Sequence, residues 1–329
     1  MTWHKIIRWS LIIVSFIFLI RVFACQTIKL ETYEMSSTIL PNDRVIVSKL
    51  LTGSRLPTTI LGLPGADNKY VDKRLPYHRL PAIRKFKRND IIVFNDPRLT
   101  DSPIDRKPLI ISRIAGLPGD TINVLDKNLY TNRKVVPAPA RVRREYIVVT
   151  DGSSISEEFI LKYNINTPDV IADIGIYNCL LDTIAYVKLL EQTNVKQVRQ
   201  QLTRSGDSSS GYWPHSNFYN WNRDQVGPLV VPYKGLSIDI TLSNIDQYRD
   251  LIENHEGNEL LIDFSGISIN GSTVESYTFK RDYYFVMDDN RDEPNDSRIF
   301  GYVPKNHLLG KIKRKLWSTE IRSILKSLD

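Results

Sequence analysis

The chain has 329 residues, a net charge of +7, 42% hydrophobic residues and 25% charged residues, which is a globular composition with enough apolar content for one large or two modest domains. Two cysteines exclude a disulfide framework, and with five scattered histidines they make no metal-ligand cluster, so neither a metal nor another cofactor is predicted. No nucleic-acid-binding motif accompanies the basic residues, so nucleic acid is not a predicted partner.

An apolar stretch, Trp9–Ile20, lies near the N-terminus (WSLIIVSFIFLI). Its twelve residues are fewer than the about 20 that cross a bilayer, so it spans only if the flanking arginines reach the two interfaces. We predict a membrane anchor over residues 1–25. Two alternatives stay open, cleavage after Val22–Ala24 and lipidation of Cys25.

The next part of the chain is rich in predicted strands. Runs of β-branched residues bounded by Gly, Pro, Asn or Asp predict them. These runs occupy residues 43–50, 90–95, 107–116 and 119–125. We assign residues 26–139 to the first part of a β core, in which residues 51–86 form a long excursion without periodicity.

Strands and helices alternate in the following segment, which predicts a small α/β insert over residues 140–255. The predicted order is strand 144–150, helix 154–164, strand 177–183, helix 183–192 and strand 195–202. An aromatic loop, Tyr212–Trp221, is either a contact surface or its own small core.

Residues 256–329 return to strands and form the second part of the β core. Asn270-Gly271 predicts a two-residue hairpin turn. Beyond it, residues 287–304 place charges of both signs close together, which favours a loop fixed by charge-assisted hydrogen bonds.

Three separated stretches resemble the bacterial type I signal peptidases, which are membrane-anchored serine proteases. Residues 287–304 (MDDNRDEPNDSRIFGYVP) resemble the family box MGDNRDNSxDSRxWGxVP. Residues 114–120 (IAGLPGD), preceded by Arg113, are similar to KRxxGLPGD. Pro118 and Gly119 also predict a tight turn there, because proline sets φ and glycine supplies a positive φ. Residues 32–43 (TYEMSSTILPND) match part of PSxSMxPTLxxGDxxxVxK.

The resemblance implies a mainly β (α+β) fold: a signal-peptidase-like β-sheet domain on one N-terminal transmembrane helix, with an α/β insert typical of a long-insert subtype. It also implies a single-pass protein of the bacterial inner (plasma) membrane, with the bulk of the chain on the outer (periplasmic) side. The lysine and arginine counts on the two sides of the anchor are too even to indicate an orientation.

The family's chemistry needs a serine nucleophile and a neutral lysine as its general base. In register, the nucleophile falls at Glu34 and the base at Ser112. Two supporting positions also differ, because Pro294 replaces a small polar residue and Asp288 replaces a glycine. Thr32 falls where a hydroxyl completes the oxyanion hole.

The scaffold around these positions is retained. The resemblance implies two ion pairs, Arg113 with Asp289 and Asp296 with Arg298. The full set of retained scaffold positions is Met35, Arg113, Asp289, Asn290, Arg291, Asp296, Ser297 and Arg298.

An intact scaffold without the dyad predicts a signal peptidase homologue that has lost its activity and binds exported preproteins or signal peptides. Membrane lipid, an active signal peptidase paralogue and the export machinery are its other predicted partners.

The alternative is an active signal peptidase that uses non-standard residues. Either Ser36 or Ser37 shifts into the nucleophile's place with Lys49 or Lys107 as base, or Glu34 and Asp288 share a proton or a divalent ion. The plainest interpretation of Glu34 is a side chain that faces water. A third hypothesis is a lipidated or released protein with a structural role.

Overall fold

Strands dominate the fold. The computed structural model describes residues 3–30, 34–59, 76–165, 169–172, 175–204, 206–207, 211–264 and 266–318. Numbered in chain order, the strands of these residues are β1 Cys25–Lys29, β2 Arg44–Ser48, β3 Ile91–Asn95, β4 Leu109–Gly116, β5 Thr121–Leu125, β6 Asn128–Thr131, β7 Lys134–Val135, β8 Arg143–Thr150, β9 Asp169–Ala172, β10 Ile176–Asp182, β11 Val195–Gln200, β12 Val226–Val230, β13 Ser237–Asp239, β14 Leu260–Asp263, β15 Gly266–Ile269, β16 Ser272–Thr273, β17 Ser276–Thr278, β18 Tyr283–Met287, β19 Val303–Pro304 and β20 Leu308–Trp317. The α-helices are α1 Trp3–Leu19, α2 Glu157–Lys162, α3 Thr183–Leu190, α4 Ile245–Asp250 and α5 Ser297–Phe300. The predicted mainly β class is confirmed.

Helix α1 continues through a π-helical turn, Ile20–Ala24. Together they form one apolar helix of 22 residues, long enough to cross a membrane. It is longer than the twelve-residue stretch found in the sequence, because the helix also includes residues 3–8 before that stretch and residues 21–24 after it. Strand β1 begins at the next residue, Cys25.

The loop after β2 is tied to the C-terminal end of this helix. The backbone N–H of Lys49 donates to the Ala24 carbonyl at 2.9 Å, and its ammonium donates to the Arg21 carbonyl at 3.2 Å. The Ser54 hydroxyl donates to the Phe23 carbonyl. The helix and the sheet are therefore joined without an intervening linker.

The largest sheet has seven strands in the order β1-β2-β20-β3-β4-β18-β19, and its neighbours pair antiparallel. Strands β3 and β18 are buried along their whole length. Met35 and Ile39, from the loop after β1, pack into a core on this sheet with Val45 and Val47. This packing holds the start of the loop against the sheet and positions the site described below.

Two turns predicted from the sequence are confirmed. Gly119 has φ of +90° after Pro118, and the Asp120 N–H donates to the Leu117 carbonyl at 2.9 Å. Asn270 and Gly271 both have positive φ, at 52° and 78°, and join β15 to β16.

The insert forms a sheet of its own in the order β11-β8-β10-β9. Its strands pair antiparallel, although the alternation of helix and strand is also typical of parallel units. Phe159 of α2 and Leu189 of α3 pack against Val148 and Leu181 of the sheet. The strands and helices of this unit lie where the sequence predicts them, and β9 is an additional strand.

The aromatic loop supplies a core instead of an open surface. Trp213 is buried and stands edge-on against Tyr302, with 5.0 Å between ring centroids. Trp221 packs beside it at 5.7 Å. Phe218, which is 65% exposed, is the large aromatic side chain of this loop that faces solvent.

Candidate active site

Three segments meet at the positions to which the sequence assigned the chemistry. They are residues 34–38 after β1, the middle of β4, and the loop 288–296 between β18 and α5. A backbone hydrogen bond from the Asn290 N–H to the Glu34 carbonyl, at 3.1 Å, joins the first segment to the third. The fold therefore brings the dyad positions of the sequence analysis into one neighbourhood.

Asp289 is the centre of the scaffold. Its carboxylate accepts two hydrogen bonds from the Arg113 guanidinium, at 2.8 and 2.7 Å, and one from the Thr38 hydroxyl at 2.5 Å. Its N–H donates to the sulfur of Met35 at 3.3 Å. Because Asp289 is fully buried, this bidentate pair fixes both strand and loop with little freedom to move.

The second implied ion pair is also present. Arg298 donates to Asp296 from Nε at 3.0 Å and from Nη2 at 2.8 Å, and both side chains are completely buried. Asp296 caps α5, and the neighbouring Ser297 hydroxyl accepts from the Val286 N–H at 2.9 Å. Burial, followed by the charge of Arg298, lowers the pKa of Arg291 to about 10, which leaves it charged at neutral pH.

Glu34 does not face water freely. One carboxylate oxygen accepts from the Asn295 side-chain amide at 3.0 Å, and the other is buried without a hydrogen-bond partner among the described residues. The expectation of a solvated carboxylate was wrong, because the loop 288–296 folds over the side chain. Arg98 lies near enough for its positive charge to interact with Glu34.

Ser112 and Asp288 occupy the place of the general base. Both are completely buried. The Asp288 carboxyl accepts from the Asn295 backbone N–H at 2.9 Å, and the Ser112 hydroxyl lies beside it. Burial, followed by the neighbouring Asp296 carboxylate, raises the pKa of Asp288 well above its ordinary value. An acid held neutral in this way is a poor acceptor for a proton.

The comparisons with known proteins agree with this scaffold. A model of the family described as "Signal peptidase, peptidase S26" matches residues 3–170 and 244–317, more than half of the chain. The chain belongs to this family. Residues 171–243, which the model leaves unmatched, lie inside the predicted insert.

Three relatives illustrate the extent of the similarity. "Signal peptidase I" of Buchnera aphidicola subsp. Baizongia pistaciae is 26% identical over 300 residues, which are 91% of this chain and 72% of that protein. "Signal peptidase I" of Buchnera aphidicola subsp. Acyrthosiphon pisum is 26% identical over 308 residues, or 92% and 70%. "Signal peptidase I V" of Bacillus subtilis is 36% identical over 85 residues, or 26% and 43%.

Asn295 is the residue of this signal peptidase homologue that the sequence analysis missed. Its backbone and side chain bridge Asp288 and Glu34, and its amide oxygen accepts from Arg98 at 3.2 Å. Arg98 is held in turn by Asp96, through bonds of 2.9 and 2.7 Å. Position 295 is unspecified in the family box, so no motif marks it. Pro294 has no hydrogen-bond donor, whereas the neighbouring Asn295 supplies two, its backbone N–H and its side-chain amide.

The stand-in dyads considered in the sequence analysis do not form among the described residues. The Ser37 hydroxyl is buried without a hydrogen-bond partner there, and Ser36 is half-buried. Lys49 is bonded to the end of the anchor, at the opposite end of β1 from Glu34. Thr32, the predicted oxyanion residue, lies outside the described residues.

Lys107 precedes β4 and directs its ammonium to the Nε2 atom of His307 at 3.1 Å. It is five residues from Ser112, which in an extended chain is about 16 Å. A shifted lysine base therefore has no support at this position.

Proposed function

We propose that the chain is a catalytically inactive signal peptidase homologue that binds exported preproteins or their signal peptides. The proposal rests on one observation: the nucleophile position holds Glu34, tied to Asn295, and the base position holds the buried Ser112–Asp288 pair. Losing a serine nucleophile alone costs on the order of 10⁶ in rate. The chain therefore lacks both the serine nucleophile and the lysine base that the family's reaction needs.

A strand edge without a pairing partner among the described residues lies beside the site and supports peptide binding. Strand β18 pairs with β4 at residues 113–116, whereas β3 pairs with it at residues 109–113. On the side away from β3, residues Leu109–Ser112 have no strand partner within the described part of the chain. An extended peptide adds to such an edge through main-chain hydrogen bonds, which need no catalytic residue.

The family and the apolar N-terminal helix together indicate a membrane-anchored protein. We further propose a single pass through the bacterial inner membrane, with the sheets on the periplasmic side. In that position the proposed peptide groove, which runs along the unpaired edge of β4, meets peptides as they leave the bilayer. The export machinery or an active paralogue is then a partner, because an inactive homologue can present or retain a preprotein but cannot release it by cleavage.

The alternative is an active protease with a carboxylate pair. One oxygen of Glu34 and one of Asp288 are buried without hydrogen-bond partners in the described residues, as in a site that shares a proton. Such a pair cleaves best in acid and loses activity as both groups ionise. A metal-dependent version has less support, because no three His, Cys, Asp or Glu side chains of the described residues are grouped to hold an ion.

The deciding experiment is preprotein cleavage by the purified chain reconstituted in liposomes, from acidic to neutral pH, with binding of the same preprotein measured in parallel. We expect binding without cleavage. Cleavage that Glu34→Gln abolishes would establish the carboxylate alternative, and absence of binding would refute the binding role.

A reconstruction series tests whether the scaffold still fits the chemistry. Glu34→Ser with Ser112→Lys restores the dyad, but the new lysine would take the proton of the neutral Asp288, and the resulting ion pair would hold that lysine protonated. We therefore expect that this double variant stays inactive and that adding Asp288→Gly restores cleavage. The matched control carries Glu34→Ala in place of Glu34→Ser and stays inactive; activity in the double variant without Asp288→Gly would contradict the role given to Asp288.

A further inference from the structure

A cavity of about 680 Å³ lies apart from the proposed peptide site. Its walls come from the segment before β4, the turns before β18 and β20, the turn after β12 and the π-helical turn Leu251–His255 that follows α4, together with Thr58, Tyr77 and Arg79. Its size falls within the range of small-molecule pockets. Glu34, Ser112 and Asp288 do not line it.

The cavity is strongly basic. One carboxylate, Asp282, lines it, and that carboxylate already accepts from Lys305 at 2.8 Å. The lysines and arginines of its walls are Arg79, Lys107, Lys234, Lys280, Arg281 and Lys305. Internal ion pairs therefore leave an excess of positive charge.

The buried side of the wall shows how the charge is arranged. Lys107 is 8% exposed, and its ammonium donates to the Nε2 atom of His307, whose Nδ1 faces the Asn306 side-chain oxygen at 3.1 Å. Burial, with His255 and the cations Lys107, Arg55 and Arg281, lowers the pKa of His307 to about 2. His307 is therefore neutral, and it accepts a hydrogen bond from the lysine instead of adding another charge.

The open side of the wall holds two cations without a hydrogen-bond or salt-bridge partner among the described residues. The Lys234 ammonium and the Arg281 guanidinium make no hydrogen bond or salt bridge with any side chain or carbonyl of the described residues. Thr100 and Ser102, whose side chains carry hydroxyl groups, also line the cavity. Cations and hydroxyl donors around one cavity are the groups that bind phosphate oxygens.

We infer that this cavity binds a phosphate-bearing anion, either a soluble phosphate ester or the headgroup of an anionic phospholipid. Two observations place one wall of the cavity near the membrane end of the domain. Lys107 also lines a smaller cavity with Gln26 and Lys49, and Lys49 is bonded to the end of the anchor helix. The basic wall therefore continues toward the membrane end of the domain. This site is independent of the proposed peptide groove.

The test uses the full chain in nanodiscs and two probes. Pyrophosphate is titrated calorimetrically into protein in neutral phosphatidylcholine discs. Separately, native mass spectrometry counts the phosphatidylglycerol molecules that stay bound after release from mixed discs. The pocket variant is Lys234→Gln with Arg281→Gln, and the matched control is Lys196→Gln with Arg199→Gln, two exposed cations of the insert strand β11.

We expect the pocket variant to weaken binding of one probe by about tenfold or more, since each cation near an anionic surface contributes substantially to affinity. The control should bind like the unmodified chain. A loss confined to pyrophosphate identifies a soluble ligand, and a loss of retained lipid, with or without a loss of pyrophosphate, identifies a headgroup. Equal binding of both probes by both variants, or no binding of either probe, would overturn the inference.

Discussion

The buried carboxyl of Asp288 predicts a stabilising substitution. Asp288 is completely buried, one of its oxygens accepts from Asn295, and its pKa is raised by burial and by Asp296. Asp288→Asn keeps the shape and the acceptor, and it replaces a group that is costly to ionise with one that is neutral at every pH.

The direction in which the free energy of unfolding changes with pH follows from the number of protons that the folded and unfolded chains bind. Above the pKa of an unfolded aspartate, about 3.9, the folded chain keeps a proton on Asp288 that the unfolded chain has lost. The free energy of unfolding of the native chain therefore falls as pH rises through that range, by about 1.4 kcal/mol for each pH unit until the folded group also ionises. The asparagine variant escapes this loss. Its advantage should be small near pH 4 and should grow toward neutral pH.

Urea unfolding of the full chain in mild detergent, followed by tryptophan fluorescence from about pH 4 to about pH 8, measures the difference. All other titrating groups are common to both proteins and cancel. Asp289→Asn is the contrasting control, because it breaks a buried pair with Arg113 and should destabilise by about 3–5 kcal/mol. An Asp288→Asn advantage that is constant with pH, or that shrinks as pH rises, would refute the assignment of a protonated Asp288.

Three further results are expected. Gly301→Ala should destabilise the chain by about 2 kcal/mol or more in urea unfolding, since its Cβ would lie 2.6 Å from the Trp213 ring at φ of +78°; Gly211→Ala, with open space around it, should be near neutral. Asn295→Ala should cost about 1–3 kcal/mol by leaving the Glu34 carboxylate without its donor, and a double-mutant cycle with Glu34→Ala should show coupling, whereas additive losses would mean that the two side chains do not interact. Mass spectrometry of the protein from native membranes should give the intact N-terminus, and a mass that begins at residue 25 would instead support cleavage or lipidation.

The scaffold could be predicted from the sequence, because its charged residues lie in motifs that resemble those of a known family, and that resemblance implies which of them form ion pairs. Arg113 and Asp289 lie 176 positions apart, yet the resemblance implied their pairing and the structure contains it. The turn at Pro118 and Gly119 could also be predicted, since proline fixes its own φ and glycine permits a positive φ.

The altered site was less accessible. Whether a carboxylate such as Glu34 is solvated depends on which loop covers it, and that loop is distant in sequence. Asn295 lies at a position that no motif specifies, so its bridge to Asp288 emerges only in three dimensions. The basic cavity is similar, because its cations come from five separate segments and no run of basic residues marks them.

The direct junction between helix and sheet has a mechanical consequence. Carbonyls of Arg21, Phe23 and Ala24 all accept hydrogen bonds from the loop after β2, and β1 starts at the following residue. The domain cannot swivel on a tether. Tilting of the anchor in a thinner or thicker bilayer must therefore tilt the sheet with it. In the proposed orientation, bilayer thickness would therefore set the height at which the proposed peptide groove meets a chain leaving the membrane.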